Sequence, residues 1–183
     1  MRRQMLFMAT LSSLSSLGVS LIGPIYPIFV LNRFSASIID VGALLTIFGL
    51  SSALFKAVAG IVVDVYGKER ILLVGAGLGA ACSLAYIFVS DLTQLYLVEF
   101  LSGISCALQD PARLAIVAEI GEGRRKGLVI GISESAYDVA SSLAALIAVA
   151  IVSNFGFELI FFICSGCQVV TGLMIFKLLR RTI

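Results

Sequence analysis

The 183-residue sequence has no histidine and no tryptophan, only three prolines, and charged side chains at just 13% of its positions. The missing histidine removes the commonest general base and a principal metal ligand. An intramembrane serine protease working through a Ser–His pair is therefore excluded. A membrane metalloprotease would need His or a dense carboxylate set, and the chain offers neither. The shortage of charge excludes an ordinary soluble domain, which carries about 25% charged and about 45–50% apolar residues. Here 60% of the residues are apolar and the mean hydropathy is +1.09. So much apolar surface calls for lipid as its solvent. The four cysteines, Cys82, Cys106, Cys164 and Cys167, all lie inside apolar runs. "CSGC" (164–167) has no second Cys pair and no His, so it reads as packing.

Six apolar segments are present, at about 5–30, 41–63, 71–89, 93–116, 128–152 and 159–176. Each approaches the roughly 20 residues with which a helix crosses a roughly 30 Å hydrocarbon core. The first is too long for a signal-peptide core and lacks a small-residue cleavage site, so it counts as a span. Barrel strands, about 10 residues of alternating pattern, are not seen. The links are too short for a soluble domain. The expectation is one all-α transmembrane domain over 1–183.

Eleven of the thirteen Lys and Arg fall on one side of these spans: Arg2, Arg3, Lys68, Arg70, Arg113, Arg124, Arg125, Lys126, Lys177, Arg180 and Arg181. Arg33 stands alone on the other side and Lys56 lies inside span 2. The positive-inside rule puts both termini in the cytoplasm of a multi-pass inner-membrane protein. "VYGKERIL" (65–72) and "NFGFELIF" (154–161) share an aromatic–Gly–x–Glu pattern at an offset of 89 residues, one after span 2 and one after span 5. Opposite facing of two such links is the mark of a 3+3 inverted repeat, as in secondary transporters. Chance similarity of two helix–turn–helix links is the alternative.

Ionisable groups inside a bilayer are costly and usually mark a pathway. Span 5 carries Glu134 and Asp138 one turn apart, on a face extended by Gly131, Ser141 and Ser142. Asp138 sits about 15 Å in, near the midplane. Two like charges in low dielectric favour proton uptake by at least one. Proton coupling is one reading; a fixed ion pair with Lys56 of span 2 is the other. Span 4 bears a polar stripe of Glu99, Ser102, Gly103, Cys106, Gln109, Asp110 and Arg113. Span 1 has Ser12, Ser13, Ser16 and Ser20, which read as helix–helix glue, followed by Gly23-Pro24 and Pro27, where bending is allowed. "GAGLGAA" (75–81) lies within a span with no strand before it, and reads as close helix packing, not as a dinucleotide loop.

"GIVVDVYGKERILL" (60–73) resembles the signature loop between spans 2 and 3 of the major facilitator superfamily. Gly60, Asp64 and Gly67 match at the right spacing, Lys68 replaces an Arg, Glu69 stands where a base is usual, and Arg70 supplies a base one place later. Val65 replaces the usual Arg. "EFLSGISCALQDPARLAIVAE" (99–119) follows the family's span-4 pattern at Gly103, Pro111, Ala112 and Glu119, with Glu99, Ser102 and Ser105 as departures. Span 5 reads "SSLAALIA" (141–148) in place of the Gly-Pro pair of the antiporter branch.

The resemblance covers the whole chain but only the N-terminal six-helix half of the usual twelve-span fold. It implies a secondary transporter that moves a small solute by alternating access, with spans 1, 2, 4 and 5 lining a central cavity and spans 3 and 6 at the periphery. Few hydrogen-bonding pairs in that cavity lean the substrate toward hydrophobic, drug-like compounds exported against protons. Expected partners are the bilayer, a small solute, protons, and a second six-helix half, either a homodimer mate or a split partner; no enzymatic activity, cofactor, metal or nucleic acid is expected. A split-gene fragment inactive on its own, or a passive pore, are the alternatives. The proton and cavity residues are Lys56, Glu99, Asp110, Glu134 and Asp138. The resemblance makes Gly60, Asp64, Gly67, Lys68 and Arg70 a conformational latch, with Asp64 meeting the N-terminus of a helix in the other half. In a homodimer that helix would be the partner's span 5, just after Arg124, Arg125 and Lys126. Gly60 is expected to pack closely on a neighbour, and Gly67 to allow the tight turn.

Overall fold

The structure is a computed structural model that describes residues 2–120 and 126–182, with side chains described over 10–119 and 126–177. Arg124 and Arg125, two of the three bases expected just before the landing site for Asp64, lie outside the described residues. The described chain is all helical. Seven helices follow in order: α1 Arg2–Ser20, α2 Tyr26–Phe34, α3 Ile38–Tyr66, α4 Lys68–Phe88, α5 Leu92–Ile120, α6 Lys126–Phe155 and α7 Glu158–Thr182.

The apolar segment read as one span over 5–30 is two helices. α1 stops at Ser20, and its carbonyl is the one the Pro24 ring would strike in a continuous helix. The chain turns through 21–25 and re-enters a helix with Tyr26 N–H on Ile22 O at 2.9 Å. Pro27 falls in the first turn of α2, where no donor is needed.

Local chemistry sets the other boundaries. Ser37 caps α3 by a reciprocal box: the Asp40 N–H bonds Ser37 Oγ at 3.2 Å, and the Ser37 N–H bonds Asp40 Oδ2 at 2.8 Å. The Ser37 hydroxyl also holds the Asp40 carboxyl below its ordinary value. Gly67, at φ +92°, joins α3 to α4, and Gly156, at φ +83°, stands between α6 and α7. Both are left-handed positions that a side chain would strain.

α3 lies along α5; α4 lies between α5 and α7; α1 packs on α6 and α7. Small residues bring these pairs together. A Cβ on Gly103 would overlap Ser51 Oγ and stand 2.6 Å from the Phe48 carbonyl, so α3 and α5 cross almost backbone to backbone. Gly75 and Gly79, one turn apart, do the same for α4 on α5, which makes "GAGLGAA" a packing stripe. The serines of α1 are glue, as expected: Ser12 bonds Ser133 at 2.6 Å, and Ser16 donates to the Tyr137 carbonyl at 2.8 Å. Three apolar clusters among the described residues close the bundle, one around Phe29, Leu95 and Phe161, one around Leu72, Ile116 and Ile175, and one around Leu21, Ala148 and Ile160.

Among the described residues, four helical stretches are long and apolar enough to cross a membrane: α3, α4, α6 and Glu158–Lys177 of α7. About half of the apolar window is buried in α4 (50%) and α7 (44%), against 22% in α3 and 17% in α6. Of these four, the helices that the resemblance puts at the periphery are thus the ones this chain buries most, while α3 and α6 leave broad faces uncovered.

Candidate functional site

Two polar regions lie within the apolar bundle. The first is an open depression of about 400 Å³ between α3, α5 and α6. Lys56 Nζ lies 2.6 Å from Asp110 Oδ2, and Arg113 Nη1 lies 2.7 Å from Glu134 Oε1. The sequence reading paired Lys56 with a span-5 carboxylate. Instead, the close crossing of α3 and α5 at Gly103 gives Lys56 to Asp110, and Glu134 takes Arg113. The charge bias places Arg113 at the cytoplasmic end of span 4. It is buried in the bundle, with its guanidinium 4.5 Å above the Tyr137 ring, because α5 continues past it to Ile120. Asp138, one turn beyond Glu134, is exposed and makes no ion pair among the described residues.

The second region is a cavity of about 180 Å³ bounded by α1, α3, α4, α5 and α7. Glu99 belongs here and is 3% exposed. Its carboxylate accepts the Tyr86 hydroxyl at 2.7 Å, and that hydroxyl also lies 3.2 Å from Ser102 Oγ. No basic side chain pairs with Glu99 among the described residues. At the far end, Gln109 and Ser105 of α5 and Gln168 of α7 converge on Gly79: a Cβ there would stand 2.9 Å from Ser105 Oγ and 3.1 Å from each glutamine Nε2. Gln109 Nε2 donates to Gly75 O at 3.3 Å and to Ser105 Oγ at 2.9 Å. These bonds leave Gln109 Oε1 without a partner among the described residues, and Gln168 Oε1 is likewise unpaired; both are buried, on residues lining this cavity.

The loop between α3 and α4 forms a third group of polar residues. Lys68 reaches Glu119 at the end of α5, at 3.0 Å, and Glu69 at 3.7 Å. The Glu119 carboxylate raises the Lys68 ammonium above its ordinary value. Asp64 and Arg70 are exposed. Gly67 makes the turn, as expected. Gly60 does not pack closely on anything: a Cβ there meets nothing within 4 Å, because its face of α3 points away from the bundle.

Of the residues expected to act together, Lys56, Asp110 and Glu134 share the open depression, Asp138 stands beside it, and Glu99 is in the separate cavity. Arg113 stands in the span-4 stripe, but Tyr26, Tyr86 and Gln168 are site residues that the sequence does not single out. Gln168 left a signal, as a lone amide in an otherwise apolar seventh helix. Tyr86 left none, since an aromatic in such a helix reads as core.

The family model for the Major Facilitator Superfamily matches residues 8–182. An uncharacterised MFS-type transporter of Methanocaldococcus jannaschii is 25% identical over 86% of this chain, and Multidrug resistance protein 2 of Bacillus subtilis is 24% identical over 91%; the chain spans 41% of each. The uncharacterised MFS-type transporter YitZ of Bacillus subtilis is 28% identical over 86% of this chain and 96% of its own length. The fold superposes on the POT family transporter PepTSo with a TM-score of 0.77, at 15% identity, over 96% of this chain and 37% of that one. With a family model matched along nearly its whole length, this integral membrane chain belongs to the Major Facilitator Superfamily.

Proposed function

We propose that the chain is a single six-span domain, with spans at about 5–30, 41–63, 71–89, 93–116, 128–152 and 159–176. It would be built as a 3+3 inverted repeat and serve as one half of a secondary transporter. The pairing of Gly67 with Gly156, both at positive φ and each followed by a helix with Glu in its first turn, supports the repeat. The transporter moves a small solute by alternating access, coupled to protons. Both termini face the cytoplasm, and a second six-helix half, a like copy or a split partner, covers the open faces of α3 and α6. The drug-resistance name of one relative supports efflux of drug-like compounds as the direction and substrate class.

One observation carries this reading. Lys56, Asp110, Glu134 and Asp138 lie within the long helices α3, α5 and α6, yet in or beside a depression that the chain's own helices leave open, with Arg113 buried behind it. Charge at that depth is tolerated where it faces water or a partner. In this arrangement the two ion pairs hold Asp110 and Glu134, and Asp138, which has no ion-pair partner among the described residues, is the carboxylate that takes up and releases the proton. Asp64 is the latch, its exposed carboxylate meeting the positive end of a helix in the other half.

Everted membrane vesicles carrying the chain and energised by a proton gradient test it. Accumulation of a lipophilic dye is expected, with a pH profile displaced in Asp138→Asn. Profiles unaltered in both Asp138→Asn and Glu134→Gln remove proton coupling through α6, and flux without a gradient makes the protein a pore. Crosslinking from Val139→Cys on the exposed face of α6 tests the second half; a strictly monomeric chain that still transports removes it. Asp64→Asn is expected to weaken closure while leaving membrane insertion intact, read as altered accessibility of the α3–α4 link.

A further inference from the structure

The cavity around Glu99 differs in kind from the open face, and its chemistry identifies a class of ligand. At one end stands a carboxylate, 3% exposed, with a tyrosine hydroxyl donating to it and no cation beside it among the described residues. A buried acid without a counter-ion is costly, and a cation entering the cavity would relieve it. At the other end two glutamine oxygens, on residues 4% and 3% exposed, accept from nothing. The Gly75 carbonyl accepts from Gln109 Nε2 and so fixes which way that amide faces. Buried acceptors left unmatched call for a donor. Between the two ends the wall is apolar, formed by Val19, Ile22, Leu45 and Phe48.

We propose that this cavity binds a slender straight-chain ammonium compound, its charged nitrogen at Glu99 and a second hydrogen-bond donor at the Gln109 and Gln168 oxygens. Helix geometry sets the length. Glu99 and Gln109 are ten residues apart on α5, hence about 15 Å along its axis. Subtracting a hydrogen bond of about 2.9 Å at each end leaves donors about 9 Å apart. That is the reach of an extended 6-amino-1-hexanol, and its methylene stem suits the apolar wall. Gly79 keeps the amide end open, because a side chain there would stand against Ser105, Gln109 and Gln168. The proposal is independent of transport, since binding is read at equilibrium on the whole chain.

The test is thermal unfolding of the purified chain in lipid nanodiscs, titrated with 6-amino-1-hexanol, hexylamine or 1-hexanol. The amino alcohol is expected to raise the midpoint most, hexylamine less, and 1-hexanol not at all. Glu99→Gln should weaken both amines by about tenfold or more, the loss expected of a charge-assisted contact. Gln168→Leu removes one of the two acceptors and should cut the advantage of the amino alcohol over hexylamine while leaving hexylamine unchanged, so it decides the matter even if Glu99→Gln fails to fold. No stabilisation of the unaltered chain by either amine overturns the proposal. So does stabilisation by 1-hexanol equal to that of the amino alcohol, or an undiminished amine effect in Glu99→Gln. An amino alcohol that keeps its advantage in Gln168→Leu overturns the two-ended mode.

Discussion

The open face and the Glu99 cavity use charge in opposite ways. On the open face every base has an acid within 2.7 Å, yet most of those side chains are 30–47% exposed, Arg113 being the buried exception. In the cavity one acid is buried with hydroxyls and no base. Paired charges on an uncovered surface are easily exchanged for partners on another half-bundle or for water. An unpaired charge inside a bundle cannot relax that way, and its compensation has to come in from outside. The first arrangement suits a surface that opens and closes; the second suits a site that holds a cation. The difference also assigns opposite signs to neutralisation: removing a partner on the open face strands a charge, and removing Glu99 relieves one.

The largest effect should separate the two regions directly. Arg113→Leu strands Glu134 and loses the contact with the Tyr137 ring, and should cost about 1–3 kcal/mol, less than a fully buried pair because Glu134 is partly hydrated. Glu99→Gln should cost under about 1 kcal/mol or be stabilising in the absence of ligand. Unfolding of the two variants in nanodiscs decides; equal losses would erase the distinction. A smaller effect concerns the other pair. A double-mutant cycle of Lys56→Met and Asp110→Asn should return a coupling of about 0.5–1 kcal/mol, since both side chains reach solvent. A coupling of several kcal/mol would mean that the depression is drier than its exposure implies.

The smallest effect lies at the α3–α4 link. Glu119 raises the Lys68 ammonium above its ordinary value. A raised lysine contributes stability that is complete below the unfolded value of about 10.4 and is lost as pH climbs through the higher folded value. Unfolding followed across strongly alkaline pH should show a step of under about 1 kcal/mol, absent in Glu119→Gln. A step unchanged in that variant would assign it to another group.

Much of the fold is legible in the residues because the bilayer demands simple chemistry. Apolar runs of helix length, Pro24 within a turn, Ser37 three residues ahead of Asp40, and Gly67 between two helices are local signals, and the helix ends follow them. The α1 serines and the Gly75–Gly79 stripe were readable as packing, since small residues in apolar helices have few other uses. The site was only half legible. Glu99, Asp110, Glu134, Asp138 and Lys56 stand out as ionisable groups in oil. Which of them meet depends on how α3, α5 and α6 cross, and that is set by Gly103 against Ser51 rather than by any charge. Gly60 shows the converse: its motif is visible, yet no helix of this chain packs on it, because a motif does not say which face of a helix is covered.

By itself, the sequence determined that this chain lives in lipid as apolar helices and which residues carry the costly polarity, because hydropathy and capping act over one or two turns. The tertiary structure alone decided who partners whom. Lys56 goes to Asp110, Arg113 becomes a buried partner of Glu134, and Glu99 is left with Tyr86 in a cavity whose far end is formed by Gln168, sixty-nine positions away. Pairing acts over a few ångströms, and only the close approach of helices distant in sequence brings those groups within its range.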